Sequence, residues 1–123
     1  MQMIKLMNLV KARKGMSRKE FTDYYESKHA PLATQVFPMA WTYRRNYIDP
    51  EDARLPVGAT ELPYDAMAEL YFRTETDYRA FLVARSRPDI HAALVADNSH
   101  FMQFDKLCSF TVTVKESPIG EPD

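Results

Sequence analysis

Residues 3–11, MIKLMNLVK, read as a β-strand whose two faces are both largely apolar, and this restricts the available folds more than any other feature of the chain. At period two, Ile4, Leu6, Asn8 and Val10 share one face, and Met3, Lys5, Met7 and Leu9 share the other. Such a strand needs cover on both sides. A chain of 123 residues is long enough to bury one core and too short for two ordinary domains. Its own helices cover one side, and the other is left for something else.

The remaining elements follow from local signals. Gly15 breaks the chain after the strand, and Ser17 with Glu20 forms a capping box that opens a helix. That helix is expected to run to about His29, because Pro31 pushes Ala30 out of the α region. Residues 36–48 are rich in aromatic and β-branched side chains and hold a second strand beyond Pro38. Residues 49–63 carry three prolines, a glycine and several charges, so they form a long loop of the kind that serves as a lid or binding loop. Residues 64–72 alternate Tyr64, Ala66, Ala68, Leu70 and Phe72 against Asp65, Met67, Glu69 and Tyr71, a third strand with one polar-decorated face. A helix follows from Thr74 or Thr76 as its cap, a second helical piece opens near Pro88, and a last strand spans about 107–115.

The order is βαββαβ with an extra short helix before the final strand. It predicts an α+β, ferredoxin-like domain over residues 1–116, with an antiparallel four-stranded sheet, helices on one side, and a flexible tail at 117–123. No spare element covers the second sheet face. A second copy of the chain, packed sheet against sheet as a homodimer, is the economical cover.

Charge and composition narrow the partners. Sixteen basic against seventeen acidic residues leave a formal net charge of −1, without the basic excess that phosphate-driven binding needs, so no nucleic-acid partner is expected. No apolar run approaches the roughly 18 residues of a membrane span, and the first residues lack a signal-peptide pattern. The single cysteine, Cys108, excludes an internal disulfide and a cysteine-based metal cluster, and fits a cytoplasmic protein. No glycine-rich phosphate loop follows a strand and no zinc motif occurs, so neither a cofactor nor a metal is expected.

Three segments carry a family resemblance: VKARKGMSRKEFTDYYESKHAPL at 10–32, YDAMAELYF at 64–72 and DNSHFMQFD at 97–105. Together they resemble the EthD family of the dimeric α+β barrel superfamily, and the helix ending in HAPL is the most specific part. The resemblance spans residues 3 to about 115. It implies a ferredoxin-like dimer with a pocket in each subunit between helices and sheet. Relatives in the superfamily include cofactor-independent cyclases, dehydratases, lactone isomerases, oxygenases and haem-handling enzymes, and EthD proteins occur beside degradation and polyketide pathways. The 49–63 loop is longer than in a minimal member.

His29 leads the candidate catalytic residues. On a helical wheel of roughly 100° per residue, Tyr25 lies about 40° and His29 about 80° from Phe21, which places His29 at the edge of the core-facing stripe. At a helix C-terminus the dipole favours imidazolium, and the ring either shuttles a proton or satisfies the last carbonyls. In the later helix Ile90, Ala93 and Leu94 define an apolar face onto which Asp97 also falls, and a carboxylate aimed inward near a helix C-terminus needs a partner. His29 and His100 are the candidates, with Phe101 beside the latter. His91 points towards solvent. Glu69 and Tyr71 are candidates to hold a substrate hydroxyl or carbonyl, although alternation does not say whether their face meets the pocket or a partner subunit. Tyr25 and Trp41 are candidate substrate-binding aromatics, with Phe37 and Tyr43 completing an aromatic wall beside Trp41. Asn8, an amide among apolar neighbours, needs a partner in backbone or ligand.

These readings point to a cofactor-independent lyase or isomerase, of the dehydratase, decarboxylase or cyclase type. It would use histidine acid–base chemistry on an aromatic, polyketide-like or otherwise enolisable small molecule. The alternatives are a haem-binding or cofactor-free oxygenase of the same superfamily, with His29 or His100 as a haem ligand, and a noncatalytic small-molecule carrier.

Overall fold

The computed structural model describes residues 3–120; the last three residues of the expected tail lie outside the described residues. Four strands, β1 (Ile4–Val10), β2 (Thr42–Tyr47), β3 (Ala66–Phe72) and β4 (Cys108–Val112), form one antiparallel sheet in the order β2-β3-β1-β4. The doubly apolar strand is β1, and it lies between β3 and β4. Residues 117–120 are exposed and carry no regular structure.

The register sorts the side chains. Leu6 opposes Leu70, Asn8 opposes Ala68, and Val10 opposes Ala66, so these positions share the face that the helices cover. Lys5, Met7 and Leu9 share the open face with Met67, Glu69 and Tyr71.

Helices α1 (Arg18–Tyr24) and α2 (Ala30–Val36) are joined without a break by a π-helical turn, Tyr25–His29. The expected stop at His29 is therefore wrong: Ala30 keeps α-helical angles (φ −61°, ψ −44°) and its N–H reaches back to the Tyr25 carbonyl. Pro31 has no N–H to give and its ring would strike the carbonyl four residues before it in a regular helix. The wider π turn opens the ladder at that point, and Pro31 then occupies the first turn of a fresh α-helix, where proline is tolerated. Upstream, the capping box is present. Ser17 Oγ accepts from the Glu20 N–H at 3.0 Å, and the Glu20 carboxylate accepts from the Ser17 N–H at 3.0 Å. Caps of this kind contribute about 1 kcal/mol.

Helices α3 (Glu75–Ser86) and α4 (Pro88–Asn98) complete the layer, with Thr74 capping α3 and Pro88 opening α4. Buried side chains form two clusters beneath the helices. Leu6, Leu70 and Phe72 pack with Ala33, Phe37, Phe81 and Ala84, while Val10 and Ala66 pack with Phe21, Tyr25, Phe101 and Met102. Between them lies a cavity of about 350 Å³, to which both clusters contribute walls. The 49–63 loop does not close over it. None of its residues lines the cavity, and Lys11 holds it at the far end of β1 by donating to the Leu62 carbonyl at 2.5 Å. Among the described residues no helix is long and apolar enough to cross a membrane.

Candidate active site

The π turn decides where His29 points. A turn closed by i→i+5 bonds advances less per residue than an α-helix, so the phase from Phe21 through Tyr25 to His29 is retarded. His29 is thereby swung from the edge of the stripe into the wall of the cavity. Its ring packs edge-on to Tyr25 (centroids 5.1 Å apart) and against Phe101 (4.9 Å).

Asp97, near the end of α4, meets it there, with His29 Nδ1 2.6 Å from Asp97 Oδ2. The other carboxylate oxygen accepts from the Tyr24 hydroxyl at 2.8 Å, so the carboxylate is held between two fixed donors. Tyr24 stays a donor, because burial first and the neighbouring Asp97 second push its phenol up to about 12. A carboxylate only accepts, which places the proton of neutral His29 on Nδ1. Nε2 is left with a lone pair and has no protein partner among the described residues. Burial lowers the His29 pKa from its ordinary value, and the bond to Asp97 opposes that shift without cancelling it. The ring is not at a helix C-terminus, so a dipole does not raise its pKa. At neutral pH it is a neutral imidazole whose cation, once formed, has a carboxylate waiting.

The cavity around it is chiefly apolar. Tyr25, Phe37, Tyr43 and Phe81 supply aromatic walls, Leu6, Leu70 and Leu94 aliphatic ones. The Tyr43 hydroxyl donates to that of Tyr25 at 3.3 Å. On the sheet side the Ser109 hydroxyl donates to Asn8 Oδ1. No aspartate or glutamate lines the space, since Asp97 stands behind His29.

Other sequence candidates are elsewhere. Glu69 and Tyr71 point to the open face of the sheet, where Glu69 pairs with Lys5 and accepts from Asn46 (2.9 Å) and Tyr71 (3.1 Å). They hold each other and do not line the cavity. Trp41 is half-exposed beneath the Arg73 guanidinium (4.6 Å), so of the expected aromatic wall only Phe37 and Tyr43 face the cavity. His100 is exposed on the outer side of Tyr24 (5.8 Å) and is not part of the pair. Phe101 is fully buried behind His29, a support for the ring without access to the cavity. His91 is exposed, as expected, yet borders the cavity, and Ala93 is exposed instead of inward. Tyr24 as partner of Asp97, and Asn98 and Ser109 as lining residues, were not legible in the sequence. Only the position of Asn98 beside an inward-facing aspartate offered a signal. Among the described residues no group of three or more His, Cys, Asp or Glu side chains is placed to hold a metal ion.

Fold and site together define a ferredoxin-like α+β domain with a histidine–aspartate pair in a helix–sheet cavity. The chain belongs to the EthD domain family, which it matches over residues 13–105. It is similar to an EthD (ethyl tert-butyl ether D) family protein from Bacillus halodurans, at 22% identity and TM-score 0.61 over 93% of this chain and 100% of that one. It is also similar to SnoaB, a cofactor-independent oxygenase from Streptomyces nogalater (11% identity, TM-score 0.57, 95% and 97% of the two chains). A dimeric protein of ferredoxin-like fold from Bacteroides fragilis is a further neighbour (14% identity, TM-score 0.53, 91% and 96%). At these identities the likeness is one of fold. Comparison with curated proteins finds no match.

Proposed function

We propose that the protein is a cofactor-independent lyase or isomerase in which His29 removes a proton from carbon next to a carbonyl of an enolisable, partly aromatic small molecule. The observation that carries this reading is the 2.6 Å His29–Asp97 contact, which leaves Nε2 bare in the wall of an apolar cavity of about 350 Å³. Nε2 takes the proton, Asp97 stabilises the imidazolium, and the electron pair of the broken C–H bond moves into the carbonyl to give an enolate. The same imidazolium returns the proton to a different carbon in an isomerisation, or to a departing hydroxyl in a dehydration. Tyr25, Phe37 and Tyr43 are the flat surfaces against which an aromatic ring would lie. An EthD fold of this kind acting in the cytoplasm as a homodimer is part of the reading. Support for the dimer comes from the open sheet face, where Met67 (37%) and Phe110 (42%) are exposed large apolar side chains.

The test is solvent deuterium exchange at the α-carbon of 1-tetralone, an aromatic ketone of suitable size, followed by NMR. Wild type should accelerate exchange, and His29→Gln should lower the rate by roughly 10²–10⁴ with little change in binding. Binding of the ketone without any acceleration would instead make the protein a carrier.

A further inference from the structure

Asn98, the last residue of α4, is buried to 8% exposure, and its side chain is unpaired. Its Oδ1 is fully enclosed without a hydrogen-bond partner, and its Nδ2, which is not enclosed in that way, donates to no protein acceptor among the described residues. A native fold rarely leaves a buried amide in that condition without a reason, because the group has lost water and gained nothing. The contrast with Glu69 is direct. Glu69 is the other buried polar side chain among the described residues, and it has Lys5, Asn46 and Tyr71 around it. Asn98 lines the cavity, one residue after the aspartate that holds His29. Asn8 Oδ1 is taken by the Ser109 hydroxyl, and the Tyr43 hydroxyl is bonded to Tyr25. The Asn98 Nδ2 is therefore a donor in the wall with no protein acceptor among the described residues. Arg85 borders the cavity, with its guanidinium 5.3 Å from the Phe81 ring, and no carboxylate lines it, a counterweight to the partial negative charge of the α4 C-terminus at Asn98.

We infer that the Asn98 carboxamide binds the substrate's carbonyl oxygen and holds it as it becomes an enolate, with Nδ2–H donating to that oxygen. The substrate class this selects is an enolisable ketone whose carbonyl oxygen reaches the Asn98 end of the cavity while its α-carbon lies against His29 Nε2. The inference rests on the general-base reading of His29 but concerns a different residue. A donor in place before the charge develops needs no rearrangement, and it acts more strongly in an apolar cavity than in water.

The experiment uses 4-nitrophenol, a stable mimic of the enolate, titrated into the protein at a pH one unit below its own pKa. On binding, its proton passes from oxygen to His29 Nε2, and the phenolate band reports the ionised form. Wild type should show the band. Asn98→Leu, which keeps the volume, and Asn98→Ala should each weaken phenolate binding about 10- to 100-fold. Both should bind 4-nitroanisole, which cannot ionise, as wild type does. Asn98→Leu should melt at the same temperature or higher, because an unpaired amide has been removed. No binding of 4-nitrophenol by wild type, phenolate affinity retained within twofold in both variants, or a large fall in melting temperature in both would each overturn the inference. His29→Gln separates the two claims. If it keeps the band while the Asn98 variants lose it, the base assignment fails and the role of Asn98 stands. The reverse pattern removes Asn98 and leaves the base.

Discussion

The two faces of the sheet treat buried polar groups in opposite ways. On the open face Glu69 is surrounded by Lys5, Asn46 and Tyr71, with Lys5 and Arg44 also near the Tyr71 ring at 5.4 and 5.6 Å. The bond to Lys5 holds the Glu69 pKa below the ordinary glutamate value against the opposing effect of burial, and the bonds to Asn46 and Tyr71 add to the lowering. On the helix-covered face His29 has one nitrogen bonded and one bare, and the Asn98 side chain has no hydrogen-bond partner among the described residues. The first arrangement is complete within the chain and does structural work. The second leaves a ring nitrogen bare in the cavity wall, the arrangement that the proposed base role of His29 needs.

The largest expected effect breaks the comparison at His29. Loss of about 10²–10⁴ in proton-exchange rate in His29→Gln, at unchanged fold by circular dichroism, separates a catalytic group from a structural one. Asp97→Asn should also lose most activity, because an amide that donates to Nδ1 places the imidazole proton on Nε2 and removes the lone pair from the cavity. Next in size is the open face. Lys5→Met leaves Glu69 without its cation and should reduce stability by about 1–3 kcal/mol, read as a shifted denaturation midpoint, while exchange per folded molecule stays near wild type. A weakened dimer by light scattering would accompany it if the two sheets face each other, and a monomeric mass for wild type would remove that assembly.

Smaller effects sharpen the account of the pair. Tyr24→Phe removes one of two donors to Asp97 and should lower the exchange rate severalfold through orientation of the carboxylate, with the melting temperature changed little. The pH dependence is the subtlest. The His29 pKa is lowered by folding, so between its folded value and the ordinary 6.5 the unfolded chain binds more protons than the folded one. This contribution to stability is present above about 6.5 and is lost as pH falls through the folded value. The rate should fall on acidification over a limb centred below 6.5, and both features should be absent in His29→Gln.

Much of the architecture was legible in the sequence because it rests on short-range chemistry. The period-two alternation of β1 and β3, the Ser17–Glu20 box, the Thr74 cap and Pro88 at the start of α4 are each set by residues within a few positions of one another. The inward aim of Asp97 was likewise visible from its helical spacing, as was the need for a histidine partner. What the tertiary structure decided depends on neighbours far away in the chain. Periodicity showed that Glu69 and Tyr71 share a face but not which face meets the cavity, and only pairing with β1 and the helix layer resolved that. Pro31 signals a helix end locally, yet the π turn carries the helix past it and turns His29 inward, towards Asp97 sixty-eight residues later. Tyr24 reaches the same carboxylate across seventy-three residues. The amino-acid order determined the elements and which side chains share a strand face, because those are properties of a few consecutive φ/ψ pairs. Which of the chain's polar groups are left bare in the cavity is a property of the packed whole, because a hydrogen bond is satisfied or missing only once every neighbour is in place.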